Sequence, residues 1–114
     1  MQCMNQVILL GRMGNGTRKS TLPNGTPYIK FSVCTNTKNF GENEDQGQWH
    51  DCECWGDLAT IIDRLNIDKG QEVYLVGTLR TTRPQGCKEK HSSVVVKDIK
   101  VFPHTQKHVD YNAK

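Results

Sequence analysis

The sequence predicts an all-β domain, a five-stranded Greek-key barrel with one short helix between its third and fourth strands. Three observations carry this expectation. Five segments of strand-like length either alternate apolar and polar residues or run continuously apolar. One segment, after Asp57, instead repeats its apolar residues at helical spacing. The chain has 114 residues, which is room for one domain and too little for two.

The first strand covers Met4 to Arg12. Val7 and Leu9 alternate there with Ile8 and Leu10, so both faces are apolar and burial on two sides is expected. Gly11, Gly14, Gly16 and the Pro23-Asn24-Gly25 turn break the pattern and mark a long connection. Tyr28 to Thr37 alternates cleanly: Ile29, Phe31 and Val33 share one face, and Tyr28, Lys30 and Ser32 share the wet one. Residues 39–48 form a polar loop. Gln48 to Trp55 alternates again, with Trp49, Asp51, Glu53 and Trp55 on one face and His50, Cys52 and Cys54 on the other. Asp57 is placed to cap the helix, whose Leu58, Ile61, Ile62 and Leu65 recur at i, i+3, i+4 and i+7. In the fourth strand Val73, Leu75 and Leu79 alternate with Tyr74, Val76 and Arg80. A basic loop through Pro84, Gly86, Lys88 and Lys90 leads to the last strand, Val94 to Phe102. Three strands, a helix and two strands is the OB-fold order. Residues 1–103 are therefore assigned to one OB-fold domain, and residues 104–114, which lack periodicity, to a flexible tail.

The net charge of +3 conceals an asymmetry. Residues 1–41 carry five bases and no acid, residues 42–72 carry nine acids against two bases, and residues 73–114 carry eight bases against three acids. Folding can bring the two basic blocks onto one face, which would attract a polyanion such as nucleic acid. No basic-then-apolar leader opens the chain and no apolar run is long enough to span a bilayer, so a cytoplasmic protein without membrane contact is expected. Five cysteines, an odd number, fit reduced thiols.

Two tryptophans pointing the same way on a strand need an explanation. With Cys52 and Cys54 inside, Trp49 and Trp55 face outward. There they serve either as contacts under a loop or between subunits, or as platforms on which unpaired bases stack. Lys30, Arg80 and Arg83 supply nearby cations for phosphate. Asp51 and Glu53 would repel phosphate unless paired, and are expected as surface carboxylates. Cys52 and Cys54 lack the chelate spacing of a zinc site and are expected as small core residues, with no metal and no cofactor. No phosphate-binding loop, nucleophile elbow or zinc-protease motif is present, so an enzyme is not expected.

Asn5-Gln6-Val7-Ile8-Leu9-Leu10-Gly11, Pro23-Asn24-Gly25, Trp49-His50, Trp55-Gly56-Asp57-Leu58-Ala59 and Val73 through Arg80 resemble, in order and spacing, the bacterial-type single-stranded DNA-binding proteins. The resemblance implies an OB-fold, a homotetramer in most members, and sequence-tolerant binding of single-stranded DNA in replication, recombination and repair; the sequence leaves the choice between DNA and RNA open. By position it implies DNA contact through Trp49, Trp55, Arg80 and Arg83, and through Phe40 after a one-residue shift; Lys30, Lys38 and Lys88 join them as candidate phosphate contacts by their charge. It also places the first strand at a dimer contact and His50 near subunit contacts. Some family positions differ. Asn39 stands at an aromatic position, with Phe40 adjacent, Pro84 stands at another, and Asp57 stands where lysine is common. The acidic, phenylalanine-ended tip that recruits repair proteins is missing from residues 108–114, so recruitment through such a tip is not expected. A PriB-like primosome adaptor and an OB-fold protein-interaction scaffold are the alternatives.

Overall fold

Six strands and one helix follow the chain in the order β1 Val7–Met13, β2 Arg18–Thr21, β3 Pro27–Thr37, β4 Gln46–Trp55, α1 Asp57–Leu65, β5 Glu72–Thr82 and β6 His91–Val101. This is a computed structural model, describing residues 1–14, 17–37, 46–83, 85–86 and 88–103. The sheet order is β1-β5-β6-β4-β3-β2, and a further pairing of β1 with β3 closes five of the strands into a barrel. Closure uses one antiparallel seam, Arg12 opposite Cys34 and Met13 opposite Val33. The parallel pairing of β4 with β6 is short, Cys52 opposite Val94 and Glu53 opposite Val95. Gly11 permits the first seam, because a Cβ there would lie 2.3 Å from the Cys34 carbonyl oxygen. The OB-fold barrel is thus present, with α1 between the third and fourth barrel strands.

β2 lies within the stretch expected to be a long connection. It forms a hairpin with β3, Arg18 opposite Lys30 through Thr21 opposite Pro27, across the turn at 22–26. All four of its residues are exposed, so it carries no apolar alternation by which sequence could reveal it.

The core forms where the alternating strands converge. Ile29 and Val33 of β3, Cys52 and Cys54 of β4, and Val73 and Leu75 of β5 are buried together with Met13, Ala59 and Ile62. Phe31 faces Cys52 and Ile29 faces Cys54 across the β3–β4 ladder, so small thiols sit opposite large apolar side chains and the layers interdigitate.

Several expectations are corrected. The first strand is not buried on both sides within one chain, since Ile8 and Leu10 are exposed and Val7 and Leu9 half-buried. Asp57 does not cap the helix: Gly56 occupies the N-cap with φ +82° and no side-chain cap bond, and Asp57 opens the first turn. There its negative charge still favours the positive end of the helix dipole. Ile61 and Leu65 are exposed, whereas Ala59 and Ile62 are buried in the core and half-buried Leu58 packs against it. A nine-residue helix lying on β3 and β4 covers a narrower stripe than its apolar periodicity suggests. Leu79 is exposed as well, although it pairs with buried Val94 of β6, because the β1–β5 ladder ends at Val7 opposite Gly77 and leaves its β1 side uncovered. The side chain of Asn5 continues that ladder by hand, donating to the Leu79 carbonyl and accepting from its N–H, both at 2.8 Å. β4 starts at Gln46, inside the expected loop, and β6 starts at His91, three residues before the expected strand. The tail 104–114 lies outside the described residues.

Candidate nucleic-acid interface

The outer face of the β3–β4 ladder builds the site. Alternation puts Cys52 and Cys54 in the core, each 2% exposed, so Trp49 and Trp55 must leave the barrel, at 62% and 40% exposure. Register then sets their neighbours: Tyr28 lies opposite Trp55, Lys30 opposite Glu53, Ser32 opposite Asp51 and Cys34 opposite Trp49. The Tyr28 and Trp55 rings are 5.8 Å apart, tilted by 33°. Lys30 Nζ lies 5.8 Å from the Tyr28 ring centre, and the Arg80 guanidinium lies 5.8 Å from that of Trp55. A cation, two rings and a second cation therefore form one row across β3, β4 and β5, a geometry in which both rings attract the flanking charge.

Trp49 belongs to a second part of the site. It lies over Gly14, where a Cβ would come within 2.7 Å of Trp49 Cζ3 and 2.5 Å of Ser32 Oγ. The glycine lets the indole lie close to the end of β1, with the Gly14 N–H donating to the Ser32 carbonyl at 2.9 Å. Between the two parts runs an open cleft of about 870 Å³, lined among others by Arg18, Lys30, Trp49, Lys69, Arg80 and His91. Cations drawn from four separate places in the sequence thus share one concavity, which concentrates a polyanion there.

Glu53 overturns the expectation of a surface carboxylate. It is only 7% exposed. Its Oε1 accepts from the Tyr28 hydroxyl at 2.5 Å, and its Oε2 accepts from Ser93 Oγ at 2.7 Å and from Arg80 Nη1 at 3.3 Å. Desolvation pushes this carboxyl up, but the hydrogen bonds from Tyr28 and Ser93 and the Arg80 guanidinium outweigh it, leaving Glu53 below its ordinary value of 4.5. Burial and the hydrogen bond to Glu53 push the Tyr28 phenol up to about 12, so its proton stays available to donate. Asp51 remains exposed.

The other flagged residues divide clearly. Arg83 and Lys88 are exposed in the connection after β5, outside the lining of the cleft. Phe40 and Lys38 lie outside the described residues. His50 is half-buried, its Nε2 2.9 Å from Thr35 Oγ1. Burial, with Asp51 and Cys54 adding to it, pushes the Cys52 thiol up to about 12, and burial pushes Cys54 up to about 11. Both are therefore neutral thiols packed in the core. Sequence reasoning missed Tyr28, Arg18 and Lys69 as parts of the site. Tyr28 carried a signal, since it shares a strand face with Lys30; Arg18 and Lys69 sit in segments without periodicity.

Comparison with known proteins agrees with this geometry. Residues 4–102 match the single-strand binding protein family. The chain belongs to that family. Among its relatives, Single-stranded DNA-binding protein 1 of Xylella fastidiosa is 27% identical over 113 residues, covering 93% of this chain and 82% of the relative. Single-stranded DNA-binding protein 1 of Chlorobaculum tepidum is 27% identical over 106 residues, covering 87% of this chain and 65% of its own length. The fold superposes on that of the Plasmodium falciparum SSB in complex with ssDNA, with a TM-score of 0.77 at 21% identity over 90% of this chain and 98% of that one. A deletion mutant of the Thermus aquaticus single-stranded DNA binding protein gives 0.73 at 20% identity, over 88% of this chain and 51% of that one. These two likenesses establish the fold of this single-strand binding family member. No helix among the described residues is long and apolar enough to cross a membrane.

Proposed function

We propose that this chain binds single-stranded DNA without strong sequence preference, protecting it in the cytoplasm during replication, recombination and repair. The observation that carries this reading is the row Lys30–Tyr28–Trp55–Arg80 beside a cation-lined cleft, in a chain of the single-strand binding family. Exposed rings offer every base a π-face, and flanking cations offer every phosphate a counter-charge; neither distinguishes one base from another. Trp49, across the cleft, supplies a second stacking surface, and the reading requires no catalytic step. Titration of tryptophan fluorescence with oligo-dT, oligo-U and duplex DNA tests it. Strong quenching by oligo-dT and little by duplex is expected, with the oligo-U curve reporting the preference for DNA over RNA. Equal, weak responses to all three would leave the tryptophans as protein-contact residues and the reading would fail.

The same proposal includes a homotetramer. Ile8 and Leu10 stand exposed on β1 beside half-buried Tyr74 and Val76 of β5, an apolar surface that self-association would cover. Light scattering should return the mass of four chains; the mass of one chain at micromolar concentration would overturn this part.

A further inference from the structure

A carboxylate on the floor of a DNA-binding surface needs a reason, because it repels the ligand and is costly to bury. Glu53 has three donors, and each comes from a different strand: Tyr28 from β3, Arg80 from β5 and Ser93 from β6. Two of these donors are the groups that flank Trp55. The Arg80 side chain is long and half exposed, so packing leaves its guanidinium room to move. It makes a 3.3 Å ion pair with Glu53 while lying 5.8 Å from the Trp55 ring centre. Tyr28 is likewise anchored at its hydroxyl, which leaves its ring face beside Trp55.

We propose that Glu53 is the positioning residue of the DNA platform: its buried carboxylate holds Tyr28 and Arg80 on either side of Trp55, so that rings and guanidinium meet the strand already ordered. This rests on the proposed binding of single-stranded DNA and makes Tyr28 a third stacking ring. Ordering before binding spares the entropy of fixing those side chains at the moment of contact. It also offsets part of the Arg80 charge internally, so ring faces carry more of the contact at this end of the site. The Asp51 carboxylate next along the strand is exposed and does not share this role.

The test is oligo-dT titration of the parent, Glu53→Gln and Tyr28→Phe across a salt series, with circular dichroism to confirm folding. Quenching of the parent by oligo-dT is the test of DNA binding itself; its absence would overturn that reading and this inference with it. Given parent binding, E53Q should bind about three- to tenfold more weakly at about 0.5 M salt, where surface charge is screened. Its salt dependence should steepen by about 0.7, the value for one phosphate contact on a single strand, because Arg80 is released. Y28F keeps ring and charge but loses the anchor, and should bind about two- to fivefold more weakly with an unchanged salt slope. A side chain that served only the barrel would move neither quantity in a folded variant. Tighter binding by E53Q at every salt concentration would show that Glu53 merely repels DNA, and would overturn the inference while DNA binding stands. If E53Q does not fold, Y28F decides: weaker binding supports the anchor, and parent-like binding overturns it.

Discussion

The cleft side of the barrel and its apolar outer surfaces are built on opposite rules. Around Glu53, polar groups from four strands satisfy one another, and the geometry of the exposed rings follows from those bonds. Along β1 and α1 the exposed apolar residues are Ile8, Leu10, Ile61 and Leu65, held by backbone ladder and helix. A hydrogen-bonded surface has a shape of its own in the free chain. An apolar surface is defined by what covers it, since hydrophobic burial has no direction. The first suits a ligand as variable as a nucleic-acid strand; the second suits a partner with a fixed complementary face.

The sharpest way to break this contrast is to charge the β1 surface. The double substitution Ile8→Asp with Leu10→Asp should leave the barrel folded and convert the assembly to smaller species, because unpaired buried carboxylates cost several kcal/mol at an interface. Sedimentation velocity checks this, and an unchanged sedimentation coefficient would place the contact elsewhere. Next in size is a comparison between helix neighbours. Ile62→Ala should lower stability by about 2–5 kcal/mol because its side chain is 1% exposed. Ile61→Ser should stay within about 0.5 kcal/mol of the parent. Urea denaturation measures both, and similar losses would mean that the Ile61 face is covered in solution.

On the cleft side, Trp49→Ala and Trp55→Ala should each weaken oligo-dT binding by about 1–3 kcal/mol, with similar losses on other base sequences. Both rings are substantially exposed, so melting temperatures should change little; unfolding in place of weaker binding would make the rings structural. The smallest effect concerns pH. Glu53 has its carboxyl lowered in the folded chain, so its stabilising contribution is complete above the ordinary value of 4.5 and is lost as pH falls through the lower native value. The gap in melting temperature between parent and E53Q should hold steady from about pH 8 to about pH 5 and narrow only below that. A gap already closing at about pH 6 would show that the hydrogen bonds do not hold the carboxyl down.

How much of this was legible in advance depends on the range of the interactions. In β3 and β4 the strand period of two decides which side chains go in, so Ile29, Phe31, Val33, Cys52 and Cys54 could be sorted from Trp49 and Trp55 without coordinates. The order of strands and helix, and with it the OB-fold, followed from the same local patterning. The family blocks marked both tryptophans and Arg80 as candidates for DNA contact.

Glu53 shows where that legibility ends. By parity it belongs with Asp51 on the wet face, and nothing within several residues distinguishes the two. Its donors lie 25, 27 and 40 residues away along the chain, so only the pairing of β4 with β3 and β6, and of β6 with β5, could bring them together. The same holds for Leu79, exposed because the β1 ladder stops short of it, and for Ile61 and Leu65, which stay exposed on α1 while Ala59 and Ile62 enter the core. Periodicity along one segment determined which residues could share a face. Which faces found partners, and which charge found its counter-charge, was decided by contacts between distant segments, because burial and ion pairing depend on what the folded chain sets opposite each side chain.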